Sequence, residues 1–151
     1  MSAATDTTAV MNLIARYAEL VDDGDFAGVG AMFADGVFGG SGGGSVRGAA
    51  GIEKMLRGMV ILYEDGTPRT HHVTTNIVVN VDAERKTAVG RSYFTVFQAV
   101  SDFPLQAVAA GRYDDRFERC DGEWRFAERR VDIRLTGDTS RHLRVRPPAA
   151  E

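Results

Sequence analysis

Between Asp6 and Val21, apolar residues recur at Val10, Leu13, Ile14, Tyr17, Leu20 and Val21, which puts them on one stripe of a helix. Asp25 is placed to cap a short second helix that runs to Phe33, with Asp35-Gly36 ending it. A third helical stripe covers residues 49 to about 63 through Ile52, Met55, Leu56, Met59 and Tyr63, its methionines suited to core packing. After Gly66-Thr67-Pro68 the period falls to that of strands. Four are expected, over residues 71–81, 87–100, 105–120 and 123–135, the last two joined by an Asp121-Gly122 hairpin turn. Eight glycines lie between Gly36 and Gly51, including Gly42-Gly43-Gly44. No Gly-Lys-Ser/Thr follows them, so a loop between two short strand pieces is expected rather than a phosphate cradle. Helices first and a long antiparallel meander afterwards predict an α+β fold. A curved sheet wrapped around helices makes a cone, and its mouth is a pocket.

Composition adds bounds. At 151 residues the chain fits one domain, read as residues 6–138 between a flexible N-terminus (1–5) and a tail (139–151). The segment from Thr136, with Pro147-Pro148 near its end, is expected to be mobile or an oligomer arm. Apolar residues at 44% and charged residues at 26% are ordinary for a globular protein. A net charge of −3 argues for neither nucleic acid nor an anionic surface as partner, since the arginines beyond Arg112 are interleaved with acids. Cys120 is the one cysteine, so no intramolecular disulfide forms. With no leader-like start and no apolar run of membrane-spanning length, the expected location is cytoplasmic.

Three residues carry candidate chemistry: Tyr17, Asp22 and His72. Asp22 and Asp23 close the first helix, where carboxylates meet the negative end of the helix dipole at a cost of about 0.3–1 kcal/mol. A local rule broken without local gain suggests a site. Solvated turn residues before Gly24 are the plainer reading. His71 and His72 begin a strand, so only one of them enters the cone. Alternation also makes them a poor chelating pair, and the remaining histidine, His142, lies in the tail, so no metal is expected. An inward imidazole beside a carboxylate suits proton abstraction near neutral pH. A neutral core histidine is the alternative.

Taken together, Tyr17-x4-Asp22, Asp25-Phe26…Met32-Phe33, Thr70-His71-His72-Val73-Thr74-Thr75-Asn76 and Asp121-Gly122-x-Trp124…Asp132-Ile133-Arg134 resemble the SnoaL-like branch of the NTF2-like (cone-fold) superfamily. The resemblance spans about Asp6 to Leu135. It implies three N-terminal helices packed in a curved, mixed but mostly antiparallel sheet. Within the superfamily, the group of scytalone dehydratase, bile acid 7α-dehydratase and hexachlorocyclohexane dehydrochlorinase is most similar. That group implies a His–Asp dyad acting as general base for elimination, without metal or organic cofactor. The dyad falls on His72 and Asp22, a polar pocket group on Tyr17, and a last-strand arginine on Arg129. Simple alternation from Trp124 puts Arg130 and Arg134 inward instead, unless a bulge intervenes. The second histidine and the serine of scytalone dehydratase fall on Ser92 and Gly111, which disfavours scytalone as substrate. The stretch that should hold the carboxylate of ketosteroid isomerase reads Phe38-Gly39-Gly40-Ser41, with no acid.

Leu105, Ala107, Ala109, Gly111 and Tyr113 share one strand face, assigned to the cone interior, with Tyr93, Thr95 and Phe97 assigned beside them. Tyr113, Tyr93, Phe97 and Arg129 are therefore the expected substrate contacts, although core packing accounts for the same residues. The expected function is a cofactor-free lyase acting on a small hydrophobic or polycyclic molecule. A polyketide or terpenoid cyclase or isomerase is the alternative with the same pocket. A non-catalytic ligand-binding or assembly domain is the third reading. Such folds commonly pair through the open sheet face, so a homo-oligomer, dimer or trimer, is expected.

Overall fold

The computed structural model describes residues 2–40 and 44–147. Gly42 and Gly43 of the glycine run, and Pro148 of the tail, lie outside the described residues. Helix α1 (Ala3–Asp22) begins earlier than the apolar stripe. The Ser2 hydroxyl accepts from the Thr5 amide at 3.3 Å and so caps the helix ahead of Ala3 and Ala4, which have high helix propensity. The N-terminal residues from Ser2 on are thus part of the first helix, not a flexible lead. Helix α2 (Phe26–Phe33) is capped as expected, with the Gly28 amide donating to Asp25 Oδ1 at 2.8 Å. Two short strands, β1 (Val37–Gly40) and β2 (Ser45–Arg47), flank the glycine run.

Helix α3 (Ala49–Met59) stops short of the expected Tyr63. Val60 is extended and bridges to Leu143, and the Ile61 amide donates to the His142 carbonyl at 2.9 Å. Backbone pairing with the C-terminal segment outcompetes another helical turn. That same pairing corrects the reading of the tail, because Thr139 and His142 are buried. Residues 137–144 return across the mouth of the cone as a strap.

Strands β3 (Thr70–Asp82), β4 (Thr87–Val100), β5 (Phe103–Cys120) and β6 (Glu123–Thr136) form the meander. The sheet order is β2-β1-β6-β5-β4-β3, antiparallel except where β1 lies parallel to β6. The sheet is curved, mixed and open, and the three helices fill its concave side. The core holds Phe26, Phe33, Phe117 and Phe126, with Phe33 and Phe126 stacked at 4.9 Å. At the helix start, buried Asp6 accepts from Arg119 and from the Trp124 indole, both at 2.9 Å, tying α1 to the β5–β6 hairpin.

Bulges set which residues face inward. The register shifts between Val96 and Phe97 against β5, where Ala109 and Ala107 are their partners, so Val108 is an extra residue. On β6 the shift falls between Phe126 and Glu128, making Ala127 the extra residue. On β3 it falls between Thr75 and Val78, next to Asn76 at φ 53. Each extra residue reverses the in/out parity of everything beyond it. Among the described residues, no helix is long and apolar enough to cross a membrane.

Candidate active site

Asp22 is the last residue of α1, and the chain turns sharply just after it. The Gly24 amide donates to the Val21 carbonyl with φ at 74°, and a Cβ there would meet the Gly66 carbonyl oxygen at 2.1 Å. Glycine at that position lets the helix end lie against the start of β3. The carboxylate then receives three hydrogen bonds. Thr70 Oγ1 donates to Oδ1 at 2.8 Å, the His72 amide donates to Oδ2 at 2.8 Å, and His72 Nδ1 stands 2.6 Å from Oδ1. Burial works to raise the Asp22 pKa, but the His72 ring, its amide and Thr70 together hold it below the usual carboxylate value. An ionised carboxylate only accepts, so Nδ1 carries a proton, and in the neutral imidazole the lone pair lies on Nε2. These three donors offset the unfavourable place of a carboxylate at a helix C-terminus.

His72 points inward and His71 is exposed, as strand alternation requires. His72 lines a cavity of about 460 Å³ at the cone mouth, within the range of small-molecule sites. Its walls are mostly apolar and include Val21, Phe38, Met55, Phe94, Val96 and Ile133, with Tyr17 and Tyr113 as polar groups. Burial pushes both tyrosine hydroxyls above their ordinary pKa, so they stay protonated and able to donate near neutral pH. Another depression, about 540 Å³, lies on the outer sheet face among Arg91, Asp114, Arg116, Glu128 and Arg130. Within it Glu128 meets Arg116 at 3.0 Å and Arg130 at 2.8 Å.

Of the expected substrate contacts, Tyr113 alone lines the cavity. Tyr93 and Phe97 belong to the outer face of β4, because directly paired residues share a face and Tyr113 pairs with Ser92. Tyr93 is 44% exposed, and the Arg112 guanidinium packs over its ring on that outer face. Leu105 and Ala107 are outward too, since they lie beyond the Val108 bulge. Arg129 does turn inward, through the Ala127 bulge, while Arg130 and Arg134 stay exposed. Yet Arg129 does not reach the cavity. It lies beneath the tyrosines, fully buried, with Nε and Nη2 each 2.8 Å from the Asp115 carboxylate. Its guanidinium carbon is 3.7 Å from the Tyr113 ring centre and 4.2 Å from that of Tyr17. Burial disfavours that charge, but Asp115 outweighs the penalty and holds the arginine above its ordinary pKa. Arg129 thus acts as the base plate on which both tyrosines rest.

Sequence reasoning passed over His142. The strap carries it onto the cavity wall, its ring perpendicular to that of His72 with centres 6.3 Å apart. Among the described residues, no three His, Cys, Asp or Glu side chains gather as a metal site. Burial and the nearby His72 lower the His142 pKa from 6.5 to about 4. The sign follows from proton counting. Between pH 6.5 and 4 the unfolded chain binds a proton here that the folded chain refuses, so stability falls with pH. Asp22, whose folded pKa is depressed, loses its contribution only below its ordinary 3.8, in a separate and lower window. Urea titrations from pH 7 to 4.5 are expected to lose up to about 3 kcal/mol, and His142→Asn to flatten that slope. An unchanged slope in the variant would show that the loss arises elsewhere.

No curated protein sequence matches the chain. A solved variant of Rv3472, a protein of unknown function from Mycobacterium tuberculosis, is 27% identical, covering 86% of this chain and 72% of that one, with a TM-score of 0.71. A Novosphingobium aromaticivorans protein provisionally assigned as a scytalone dehydratase is 21% identical over 89% of this chain and 88% of its own, at a TM-score of 0.72. ActVI-ORFA from Streptomyces coelicolor is 20% identical, with 84% and 96% covered and a TM-score of 0.68. The last two likenesses speak to the fold alone. The family model for the SnoaL-like domain matches residues 2–130, and with the helix-filled open cone already described, the chain belongs to the SnoaL-like domain family.

Proposed function

We propose that the chain is a lyase that eliminates water, or a comparable leaving group, from a small, largely apolar carbonyl compound without an organic cofactor. The observation that carries this reading is the His72–Asp22 pair at 2.6 Å opening on an apolar cavity of about 460 Å³. His72 Nε2 takes the proton from the carbon next to the carbonyl, and Asp22 stabilises the imidazolium that forms. The C–H electron pair moves into an enolate, with Tyr17 and Tyr113 as hydrogen-bond donors at the cavity wall. The enolate reforms its carbonyl and expels the β-hydroxyl, which leaves as water with the proton returned by His72. Arg129 contributes from below by fixing the tyrosine rings. The outer sheet face, with Phe97 partly exposed and the exposed Tyr93 beside Arg112, is proposed to join copies of the chain into a homo-oligomer.

A tetralone bearing a hydroxyl on the carbon β to its carbonyl tests the reading. Loss of water gives an enone that tautomerises to α-naphthol, which is followed by fluorescence. Enzyme-dependent α-naphthol formation is the expected result. A product isomeric with the substrate would replace elimination by isomerisation. Tight binding with no turnover would favour a ligand-binding domain instead.

A further inference from the structure

His142 takes no part in the elimination described above, yet the chain goes to some length to hold it there. Its amide donates to the Thr139 carbonyl at 3.0 Å and its carbonyl accepts from Ile61 at 2.9 Å. The preceding Arg141 carbonyl accepts from Gln98 Nε2 at 2.9 Å and from the Tyr63 hydroxyl at 2.6 Å. The Arg144 amide donates to the Met59 carbonyl at 2.9 Å. Helix α3, the segment after it and strand β4 therefore all clamp the strap around this one residue. The ring is 7% exposed, and its Nδ1 is buried with no hydrogen-bond partner. A histidine that only fills space is expected to have its buried nitrogens satisfied, and a leucine or phenylalanine would fill the same space without that cost.

We propose that His142 is a second substrate-contacting imidazole, whose Nε2–H donates a hydrogen bond to the carbonyl oxygen of the ligand while His72 faces the adjacent carbon. The inference rests on the carbonyl-elimination reading and names a further residue that recognises its substrate. With Nδ1 sealed against the protein and lacking an acceptor, a proton there would be a buried, unpaired N–H. Moving it to Nε2 leaves only a lone pair unsatisfied and turns the donor toward the ligand. Burial keeps this imidazole neutral when His72 takes up its proton, so two adjacent cations are avoided. The site then holds two imidazoles of opposite duty. One is oriented by a carboxylate to accept, and the other is kept neutral by burial to donate. A neutral imidazole is a competent donor to a developing enolate oxygen.

The test measures binding, so it stands apart from turnover. α-Tetralone has the carbonyl but no leaving group, and tetralin is the same skeleton without the oxygen. The wild-type protein is expected to bind α-tetralone more tightly than tetralin, and His142→Phe to lose about tenfold of that preference, read as the ratio of the two dissociation constants. Equal affinity for the two in the wild type, no binding of α-tetralone, or an undiminished preference in the variant each overturns the proposal. Should His142→Phe fail to fold, the ¹⁵N resonance of His142 Nε2 in wild-type protein decides. It is expected to move with α-tetralone and not with tetralin, and a resonance unmoved by both overturns the assignment. If the preference follows His142 but the hydroxytetralone is not turned over, the donor role stands and the lyase reading alone fails.

Discussion

His72→Ala is expected to lower turnover of the hydroxytetralone by about 10²–10⁴-fold while the protein remains folded, because it removes the imidazole that Asp22 orients as general base in the cavity. The side chain is 8% exposed, so a modest stability loss accompanies the change, and melting curves separate it from the catalytic effect. Asp22→Asn is the subtler variant. It keeps the shape but removes the charge, and an amide has one oxygen where the carboxylate uses two to receive Thr70, the His72 amide and the His72 ring. Whichever way the amide turns, its NH₂ faces a donor. The imidazole is then free to adopt the other tautomer, with its proton on Nε2, and a fall in kcat of similar order is expected. Full turnover in either variant, measured at saturating substrate, would remove the dyad from the mechanism.

The second large effect concerns stability. Arg129 and Asp115 both have wholly buried side chains, paired through two contacts of 2.8 Å. Arg129→Met leaves a carboxylate stranded in the core and takes the base plate from under Tyr17 and Tyr113. A loss of about 3–5 kcal/mol is expected, seen as a fall of roughly 10–15 °C in the melting temperature. Asp115→Leu alone strands the guanidinium and is expected to cost a similar amount. The double variant, with methionine and leucine together, is expected to regain most of the loss, since an apolar pair of similar volume needs no desolvation of charge. Denaturation of all three proteins checks this. A single Arg129→Met within about 1 kcal/mol of the parent would mean that the pair is not the keystone described.

Much of the fold was legible in the chain because local signals and the final packing agree. The apolar stripe of α1, the Asp25 cap and the Asp121-Gly122 hairpin each specify their own neighbourhood. Asp22 and His72 were legible for another reason. A carboxylate at a helix C-terminus breaks local preference and drew attention to Asp22 and Asp23, but it was mainly the family resemblance that chose Asp22 from that pair and His72 from the adjacent histidines, and the structure brings Asp22 and His72 together. The errors over facing have two physical origins, a bulge in β5 and the choice of which face of β4 turns inward. A bulge is a single extra residue without a strong sequence mark, and it reverses the facing of all that follows. Tyr93, Phe97, Leu105 and Ala107 were assigned inward by unbroken alternation, while the direct pairing of Ser92 with Tyr113 and the extra Val108 turn them out. His142 was missed because its position depends on hydrogen bonds to Met59, Ile61 and Gln98 through the strap, and nothing local to the tail announces them.

The parallel seating of β1 against β6 has a consequence for the order in which the protein can mature. Val37 to Gly40 find their sheet partners at Glu128 to Val131, in the last strand of the sheet. While the ribosome is still making the middle strands, Phe33 and Phe38 have no Phe126 to close over them. The growing chain therefore carries an unfinished aromatic core until its last strand emerges, and the strap that brings His142 to the cavity arrives later still. Completion of the fold and completion of the site thus both wait for β6 and the strap, and a nascent chain cut short within β6 before Arg129 carries the dyad without the base plate beneath Tyr17 and Tyr113.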